Sequence, residues 1–418
     1  MSPVIPGVKR ATPDGPAGAL GGVKVLDFSH ALAGPYCTMI LADLGADVLK
    51  VEHPGGGDRT RRFTDGDEDF SAYFGSVNRG KKSVVIDLKN PSGLELAKRL
   101  AAEADVLVHN LGPGVFERLG MDYETLAATN PRLIFAQVTG FGADGPWADR
   151  TGVDPVIQAL SGSMSITGEP DGGPVRVGYS IVDLSGGVWM AMDVLAALNE
   201  RHVSGKGQFL DVSLLEGMMT LMENAVVRYT YNGIIPERQG SSHPYTKLTA
   251  AYETADGWMV FSISARNWKK CCEIWGRDDW LNDPVLHEKP EDNADILRPE
   301  VRKILKEHTR AYWQEHMGGA GILCTPINTV AEAVTLEPLI ERGYMTTTTD
   351  ANGADLTVAG SPLRMSRTPG RVRAAAPILG EHNRSQLKSW LGMDDAEFAR
   401  YEAEGVFEQK PRETRGFW

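Results

Sequence analysis

The chain has 418 residues, of which 42% are hydrophobic and 23% charged, so it is long enough for two or three domains with a sizeable core. Its formal net charge of −12 argues against the basic surface that nucleic-acid binding requires, although one local basic pocket would still accept a small anion. No stretch reaches the roughly 18 consecutive apolar residues of a membrane span, and the N-terminus lacks the apolar core of a signal peptide.

The cysteines and histidines indicate a reducing compartment and no metal site. Cys37, Cys271, Cys272 and Cys324 form no CxxC pair, and adjacent cysteines make a poor disulfide framework. The nine histidines include neither HExxH nor a tight His/Cys cluster. We therefore predict a soluble, cytoplasmic protein without a metal site and without nucleic-acid or membrane partners.

In chain order, residues 1–21 are rich in proline and glycine and predict a disordered leader. Short apolar runs then alternate with segments of helical spacing. This alternation is typical of an open α/β fold with a Rossmann-like parallel sheet, which binds ligands at the carboxyl ends of its strands. The predicted strands are 23–29, 46–53, 83–88, 105–111 and 132–140, and the helices among them include 34–45 and 90–104.

The second half of the chain changes in composition. A strongly helical run at 187–203 is followed by a polar stretch with glycine and proline at 226–246. Beyond it, mixed strand and helix patterns predict a smaller α+β domain. We therefore divide the chain into a large domain at 22–225, a linker at 226–246, a small domain at 247–340 and a tail with two helical runs at 341–418.

Two glycine-containing motifs do not meet the context that a nucleotide site requires. Residues 140–145 match GxGxxG, but Pro146 and loop-type residues follow where a helix should begin. Residues 75–83 nearly form a phosphate-binding P-loop, but Lys82 occupies the Ser/Thr position and a strand follows. Lys81 and Lys82 remain able to meet a phosphate as point charges.

A dense basic patch lies at residues 59–63, with Arg59, Arg61 and Arg62 after a glycine-rich turn. One interpretation is a solvated surface loop. The other is a clamp for an anionic ligand at the edge of the sheet. The patch alone does not decide between them.

Asp183 is a single carboxylate in an apolar stretch, just before Gly186, Gly187 and the long helical run. Aspartate is a favoured helix N-cap, because its side chain accepts a hydrogen bond from a free N–H of the first turn. The same N–H groups would keep the carboxylate ionised, and the two glycines would leave room for a substrate. An ionised carboxylate beside open space is what covalent carboxylate catalysis requires, so the two interpretations are compatible.

Several ordered motifs together resemble the class III coenzyme A-transferases, which include formyl-CoA transferase and the carnitine and bile-acid CoA-transferases. The resemblance spans nearly all of residues 23–392. It implies that the tail at 341–418 returns to the large domain and that two subunits interlock as a homodimer. The matching stretches are 25–61, 78–93, 105–150, 177–187, 204–217, 324–333 and 380–383.

The resemblance also implies an activity, which is transfer of CoA between an acyl-CoA and a carboxylic acid. In this family an aspartate at the position of Asp183 attacks the donor thioester and then carries CoA as an aspartyl thioester. CoA and acyl-CoA would be substrates, and no tightly bound cofactor is expected.

Family contacts to CoA are carried over by position. His53 stands where formyl-CoA transferase has an arginine, so either His53 or the patch at 59–62 would bind the CoA phosphates. The loop of Gly240, Ser241 and Ser242 stands where that enzyme has a run of glycines, so substrate gating and acid specificity should differ. The implied CoA-binding residues are Leu32, Ala33, His53, Lys89, Asn110, Leu111, Gly112 and Arg118.

Two other functions are compatible with the same fold. The α-methylacyl-CoA racemase branch needs a base on each side of the substrate α-carbon, and Val153 stands where that branch has one of them, a histidine. This substitution disfavours a racemase. A non-catalytic CoA-binding paralogue would have lost Asp183, which is present.

Overall fold

The computed structural model describes residues 5–12, 17–64 and 71–408, and the following elements lie in that part of the chain. The strands are β1 (Lys9–Arg10), β2 (Lys24–Asp27), β3 (Asp47–Glu52), β4 (Lys82–Val85), β5 (Val106–His109), β6 (Ile134–Thr139), β7 (Phe209–Ser213), β8 (Ala250–Thr254), β9 (Gly257–Phe261), β10 (Cys324–Pro326), β11 (Met345–Thr349) and β12 (Asp355–Ala359).

The helices follow in the same numbering, together with a 3₁₀ turn at Arg59–Arg62 and a π-helical turn at Gln314–Gly318. The α-helices are α1 (Ala33–Asp43), α2 (Ala72–Asn78), α3 (Pro91–Glu103), α4 (Val115–Leu119), α5 (Tyr123–Thr129), α6 (Asp154–Leu160), α7 (Ser163–Ile166), α8 (Ile181–Ser204), α9 (Leu214–Leu221), α10 (Glu223–Asn232), α11 (Trp268–Trp275), α12 (Asp278–Asn282), α13 (Pro284–Glu288), α14 (Ala294–Lys306), α15 (Arg310–Trp313), α16 (Val330–Ala333), α17 (Glu337–Glu341), α18 (Asn383–Leu391) and α19 (Asp395–Ala403).

Strands β2 to β7 form an open parallel sheet in the order β4-β3-β2-β5-β6-β7. In its register, Leu26 lies between Leu49 of β3 and Leu107 of β5. All three side chains are fully buried, which is the reason that these strands read as continuous apolar runs rather than alternating ones. The predicted α/β class with a Rossmann-like parallel sheet is confirmed.

Helices cover both faces of this sheet. On one face, Leu41 of α1 belongs to the same apolar cluster as Val194 of α8. On the other face, Leu100 of α3 clusters with Trp390 of α18 and Tyr401 of α19. Helix α8 has the length and apolar composition of a membrane span, but its inner side forms part of this core.

The described residues divide into two compact units. The first comprises the described residues of Met1–Ser161, Gly178–Val226 and Thr335–Trp418, and the second comprises Gly162–Val177 and Val227–Val334. The second unit contains the antiparallel sheet β10-β9-β8 and a core that includes Tyr252 and Trp268.

The boundaries of the second unit differ from those predicted for the small domain. Its longer segment is Val227–Val334, whereas the predicted small domain is 247–340. Helix α10 has no buried residue, and it therefore lacks the buried apolar face that would distinguish it from a linker. The segment Gly162–Val177 also belongs to this unit, and no apolar periodicity marks it.

Part of the predicted leader has regular structure. Strand β1 pairs in parallel with β11, which in turn pairs with β12, and the Arg10 guanidinium binds both carboxylate oxygens of Asp355, at 3.0 and 2.6 Å. Leu20 is buried, and its N–H donates to the carbonyl of Leu44. A proline- and glycine-rich composition does not reveal such long-range pairing. Residues 1–4 and 13–16 lie outside the described residues.

Candidate active site

A cavity of about 450 Å³ lies where the strand order of the parallel sheet reverses. Strands β3 and β4 lie on one side of β2, while β5, β6 and β7 lie on the other. The loops after β2 and β5 therefore diverge, and such a crevice is where open α/β sheets bind ligands. Residues 30–33, residues 110–113 and Asp183 line the cavity.

The side chain of Asn110 joins these two loops. Its Oδ1 atom accepts the N–H of His30 at 2.7 Å, and its Nδ2 atom donates to the carbonyl of the same residue at 2.7 Å. This pair of bonds fixes the distance between the loop after β2 and the loop after β5. The side-chain amide of Asn110 therefore stabilises the cavity wall.

Buried charges hold the loop after β2 in place. Lys50 Nζ donates to the carbonyl of Ser29 at 2.6 Å and pairs with Asp58 Oδ2 at 3.1 Å. The other oxygen of Asp58 accepts the N–H of Ala31 at 3.3 Å. Among the described residues, Ala31 is the one non-glycine with a positive φ, at 65°. A left-handed conformation is unfavourable for alanine, so these contacts must maintain it.

Asp183 does not cap its helix. Helix α8 begins at Ile181 with Ser180 at the N-cap, so Asp183 stands within the first turn. The capping carboxylate comes from Asp154, whose Oδ2 atom accepts the N–H of Val182 at 2.9 Å and that of Asp183 at 3.4 Å. The N-cap interpretation of Asp183 is therefore wrong, because another carboxylate occupies the free N–H groups.

The pKa of Asp183 is raised to about 6. Burial is the largest cause, the negative charge of Asp154 acts in the same direction, and Arg59 opposes both. Our expectation that the helix N-terminus would favour the ionised form is not met, because Asp154 takes those N–H groups. At neutral pH the carboxylate is still mostly ionised, but it is more basic than an ordinary aspartate.

Gly186 and Gly187 serve packing rather than substrate access. A β-carbon on Gly186 would lie 2.3 Å from Leu214 Cδ2, and one on Gly187 would lie 2.6 Å from the carbonyl oxygen of Ala33. The expectation that these glycines leave room for a substrate is therefore wrong. Instead Gly187 lets α8 approach α1 closely, and Gly186 lets it approach the start of α9.

The three arginines of the basic patch have different surroundings. Arg61 binds both carboxylate oxygens of Glu52, at 2.8 and 2.7 Å, and lies over the ring of Phe74. Arg62 donates to the carbonyl of Gly55 at 2.8 Å. Arg59 is exposed and lines the cavity. Of the two interpretations, an anion clamp fits Arg59 alone.

The lysines of the near P-loop are engaged in ion pairs. Lys81 Nζ lies 3.0 Å from Asp27 Oδ2 and also donates to Asn78 Oδ1 at 2.8 Å and to the carbonyl of Pro35 at 3.0 Å. These three bonds use all of its protons, and burial lowers its pKa to about 8. Lys82 pairs with Asp47 at 2.8 Å. This arrangement leaves neither lysine as a phosphate-binding charge.

Five of the eight predicted CoA-binding residues line the cavity with Asp183, and three do not. His53 is buried, and its Nδ1 atom accepts the N–H of Gly55 at 2.8 Å. Lys89 and Arg118 are exposed and do not line the cavity. The residues that line the cavity are Leu32, Ala33, Asn110, Leu111 and Gly112.

The predicted substrate loop lies in the second unit. Gly240 has a φ of 59°, and its N–H donates to the carbonyl of Gly168 at 2.9 Å. The hydroxyl of Ser241 accepts the N–H of Ala251 at 3.0 Å, and that of Ser242 donates to the carbonyl of Gln239.

Three residues that sequence reasoning did not single out also line the cavity, namely His30, Arg150 and Asp154. Burial lowers the pKa of His30 to about 4, so its imidazole is neutral at pH 7. The position of His30 directly after a predicted strand end was an available signal. Arg150 is exposed and stacks on Trp147, at 4.5 Å from the ring centroid. Within the described ranges, no group of three or more His, Cys, Asp or Glu residues is placed to hold a metal ion.

Comparison with known proteins identifies relatives that match almost the whole chain. The model of CoA-transferase family III matches residues 20–383. Acetyl-CoA:oxalate CoA-transferase of Acetobacter aceti is 36% identical over 388 residues, which is 91% of this chain and 98% of the relative. Succinate–glutarate CoA-transferase of Agrobacterium fabrum is 35% identical over 380 residues, which is 88% and 94% respectively. The crystal structure of a CAIB/BAIF family protein from Brucella suis has a TM-score of 0.82 and 32% identity, and the match covers 90% of this chain and 100% of that one.

Proposed function

The chain belongs to CoA-transferase family III, and from this premise we propose that it moves CoA from an acyl-CoA donor to a carboxylic acid through a thioester on Asp183. The family and its relatives confirm that the protein is a transferase of this class. The observation that supports the role of Asp183 is its position on the cavity wall, where its carboxylate has a pKa near 6. Such a group is ionised at neutral pH and more nucleophilic than a solvated aspartate.

The proposed reaction has four displacement steps. An Asp183 oxygen attacks the thioester carbonyl, and the CoA thiolate leaves behind a mixed anhydride. The thiolate then attacks the aspartyl carbonyl and releases the donor acid as a carboxylate. The acceptor carboxylate attacks the aspartyl thioester, which forms a second mixed anhydride and expels the thiolate. The thiolate then attacks the acceptor's acyl carbonyl in that anhydride, which forms the new acyl-CoA and releases the Asp183 carboxylate. One thioester replaces another with no net proton or redox change, so no ATP is required.

The surroundings of the cavity support a division of roles. Residues 30–33 and 110–113 would contact CoA along the carboxyl ends of β2 and β5. Arg59 would provide the cation that meets an anionic group of the substrates, because Arg61 and Arg62 are engaged elsewhere. His53 is a poorer candidate, since its Nδ1 atom already accepts a backbone N–H.

We further propose that the acids are dicarboxylic. The names of two relatives contain oxalate, succinate and glutarate, all of which are dicarboxylates. One carboxylate of such an acid would react at Asp183, and Arg59 or Arg150 on the same cavity would pair with the other.

The exposed apolar surface of the first unit supports the homodimer that the resemblance implies. Met192 of α8 is 54% exposed and Leu221 of α9 is 48% exposed, although both lie on mainly apolar helices. Symmetric association of two chains would bury such side chains. Light scattering should therefore give twice the chain mass of 45.4 kDa.

The proposed function is tested by incubating the purified protein with succinyl-CoA and a panel of mono- and dicarboxylic acids, then separating the CoA esters. We expect a new CoA ester with a dicarboxylic acceptor. The Asp183→Ala variant should fold normally and form none. Retained transfer by this variant would refute the role of Asp183, and exchange of the α-proton of an α-methylacyl-CoA in D₂O without transfer would favour a racemase.

A further inference from the structure

Both carboxylate oxygens of Asp154 accept hydrogen bonds beside the N-terminus of helix α8. Asp154 is the first residue of α6 and is only 4% exposed. Its Oδ2 atom accepts the N–H groups of Val182 and Asp183, while its Oδ1 atom accepts Gln158 Nε2 at 2.6 Å. The carboxylate is therefore held rigidly against the first turn of the helix that carries Asp183.

Helix α8 has no cap of its own. Ser180, at its N-cap, makes no side-chain hydrogen bond to the first turn. Free N–H groups at a helix start attract the nearest carboxylate, and an acidic side chain in the first turn is well placed to fold back onto them. Without Asp154, the acid best placed to do so is Asp183, at the third position of the helix.

We propose that Asp154 is a positioning residue, which by capping α8 keeps the Asp183 carboxylate away from the helix N-terminus and available in the cavity. This inference rests on the proposed function, in which Asp183 is the nucleophile. Bonds from N–H groups would lower both the freedom and the basicity of that carboxylate. Asp154 takes those bonds and places a negative charge nearby.

Among the described residues, Asp154, Arg59 and Tyr73 interact electrostatically with Asp183, and His30 and Arg150 line the same cavity. Asp154 approaches from α6 and Arg59 from the 3₁₀ turn, with opposite effects on the pKa of Asp183. Tyr73 approaches from α2, and the charge of Asp183 contributes to the raised pKa of its phenol. Neutralising Asp154 should therefore lower the pKa of Asp183, because the net charge around it becomes more positive.

The first test is the pH profile of kcat/KM with succinyl-CoA and glutarate as probes. In Asp154→Ala, which removes both the cap and the charge, we expect the acid limb to move from about pH 6 toward the ordinary aspartate value near 4, with a plateau at least about tenfold lower. Asp122→Ala is the matched control, since Asp122 caps α5 through the N–H of Thr125 at 2.9 Å and does not line the cavity. Its pH profile should equal that of the parent.

The second test needs no substrate. The change in melting temperature caused by Asp183→Asn is measured from pH 4 to pH 8, once in the parent and once in the Asp154→Asn background. If Asp154 raises the pKa of Asp183, Asp183→Asn should raise the melting temperature at pH 8 in the parent. This increase should be smaller by about half or more when Asp154 is neutral.

The two tests separate the possible failures. The positioning role of Asp154 would be overturned by two results together. Asp183→Asn would change the melting temperature equally in the parent and in the Asp154→Asn background, and substitution of Asp154 would leave the acid limb of kcat/KM where it is in the parent. Full transfer by Asp183→Ala would instead refute the proposed function, while the thermal measurement would still report whether the two carboxylates interact.

Discussion

The carboxylates of Asp154 and Asp183 share one cavity wall, and Asp154 Oδ2 accepts the backbone N–H of Asp183 at 3.4 Å. Both oxygens of Asp154 accept hydrogen bonds, and the pKa of Asp183 is raised. Where neighbouring titratable groups have environments that differ in this way, they can perform different chemical tasks. In the proposed mechanism Asp154 orders the helix and Asp183 performs the chemistry.

Transfer activity should fall below about pH 6. In the proposed mechanism Asp183 attacks only as a carboxylate, and its pKa is raised to about 6. kcat/KM should therefore lose about tenfold for each pH unit below this value, since it reports the pKa of the free enzyme. Initial rates at subsaturating succinyl-CoA between pH 4.5 and 8 measure the limb. Activity that stays level down to pH 5 would contradict the raised pKa.

Asp183→Asn should stabilise the protein at pH 8. A carboxyl with a pKa near 6 in the folded state and about 3.9 in the unfolded state binds its proton more tightly when folded. Its ionisation therefore removes stability as the pH rises from about 4 to 6. The amide avoids this cost, and the expected gain is about 1–3 kcal/mol above pH 6 and close to zero near pH 4.

Thermal unfolding of the parent and of Asp183→Asn at both pH values checks this expectation. A variant that is less stable than the parent at pH 8 would show that the Asp183 carboxylate makes favourable contacts instead. Such a result would also weaken its role as a free nucleophile.

Mutation of Arg59 should reduce mainly activity, whereas mutation of Arg61 should reduce mainly stability. Arg59→Gln removes an exposed cation from the cavity, so we expect kcat/KM to fall about 10- to 100-fold with little change in melting temperature. Arg61→Gln leaves the fully buried Glu52 without its bidentate partner, which should cost about 3–5 kcal/mol of stability. Parallel kinetics and thermal unfolding of the two variants distinguish these effects. Equal loss of stability in both would contradict the difference.

Ala31 should tolerate glycine but not valine. Its φ of 65° is accessible to glycine without strain, whereas a β-branched side chain is strongly disfavoured there. We expect Ala31→Val to lose about 1–2 kcal/mol or more, and to raise the KM for acyl-CoA because the loop lines the cavity. Ala31→Gly is the matched variant and should stay close to the parent in both measurements. A harmless valine would show that the loop relaxes freely.

The fold was largely predictable because its strands are buried on both faces. Val25, Val48 and Val106 lie in runs that no surface strand would show, and the helices between them have regular apolar spacing. The long-range features were not predictable in the same way. The pairing of Lys9 with Thr346 and the placement of residues 162–177 depend on distant partners.

The sequence singled out Asp183, which lies on the cavity wall, but it did not predict the electrostatics around this residue. Asp183 was singled out from its own context and from the resemblance, whereas Asp154, which caps its helix, lies 29 residues earlier in a different helix. Arg59 and Arg61 are the same residue type two positions apart. Only the 3₁₀ turn sends Arg61 to Glu52 and leaves Arg59 at the cavity. Such differences arise from three-dimensional neighbours rather than from local pattern.

The decisive measurement is mass spectrometry of the protein after reaction with succinyl-CoA in the absence of an acceptor acid and quenching with hydroxylamine. An aspartyl anhydride or thioester should give a hydroxamate on the peptide that contains Asp183, and the Asp183→Asn variant should lack it. An unmodified Asp183 peptide in a preparation that transfers CoA would show that the nucleophile is another group.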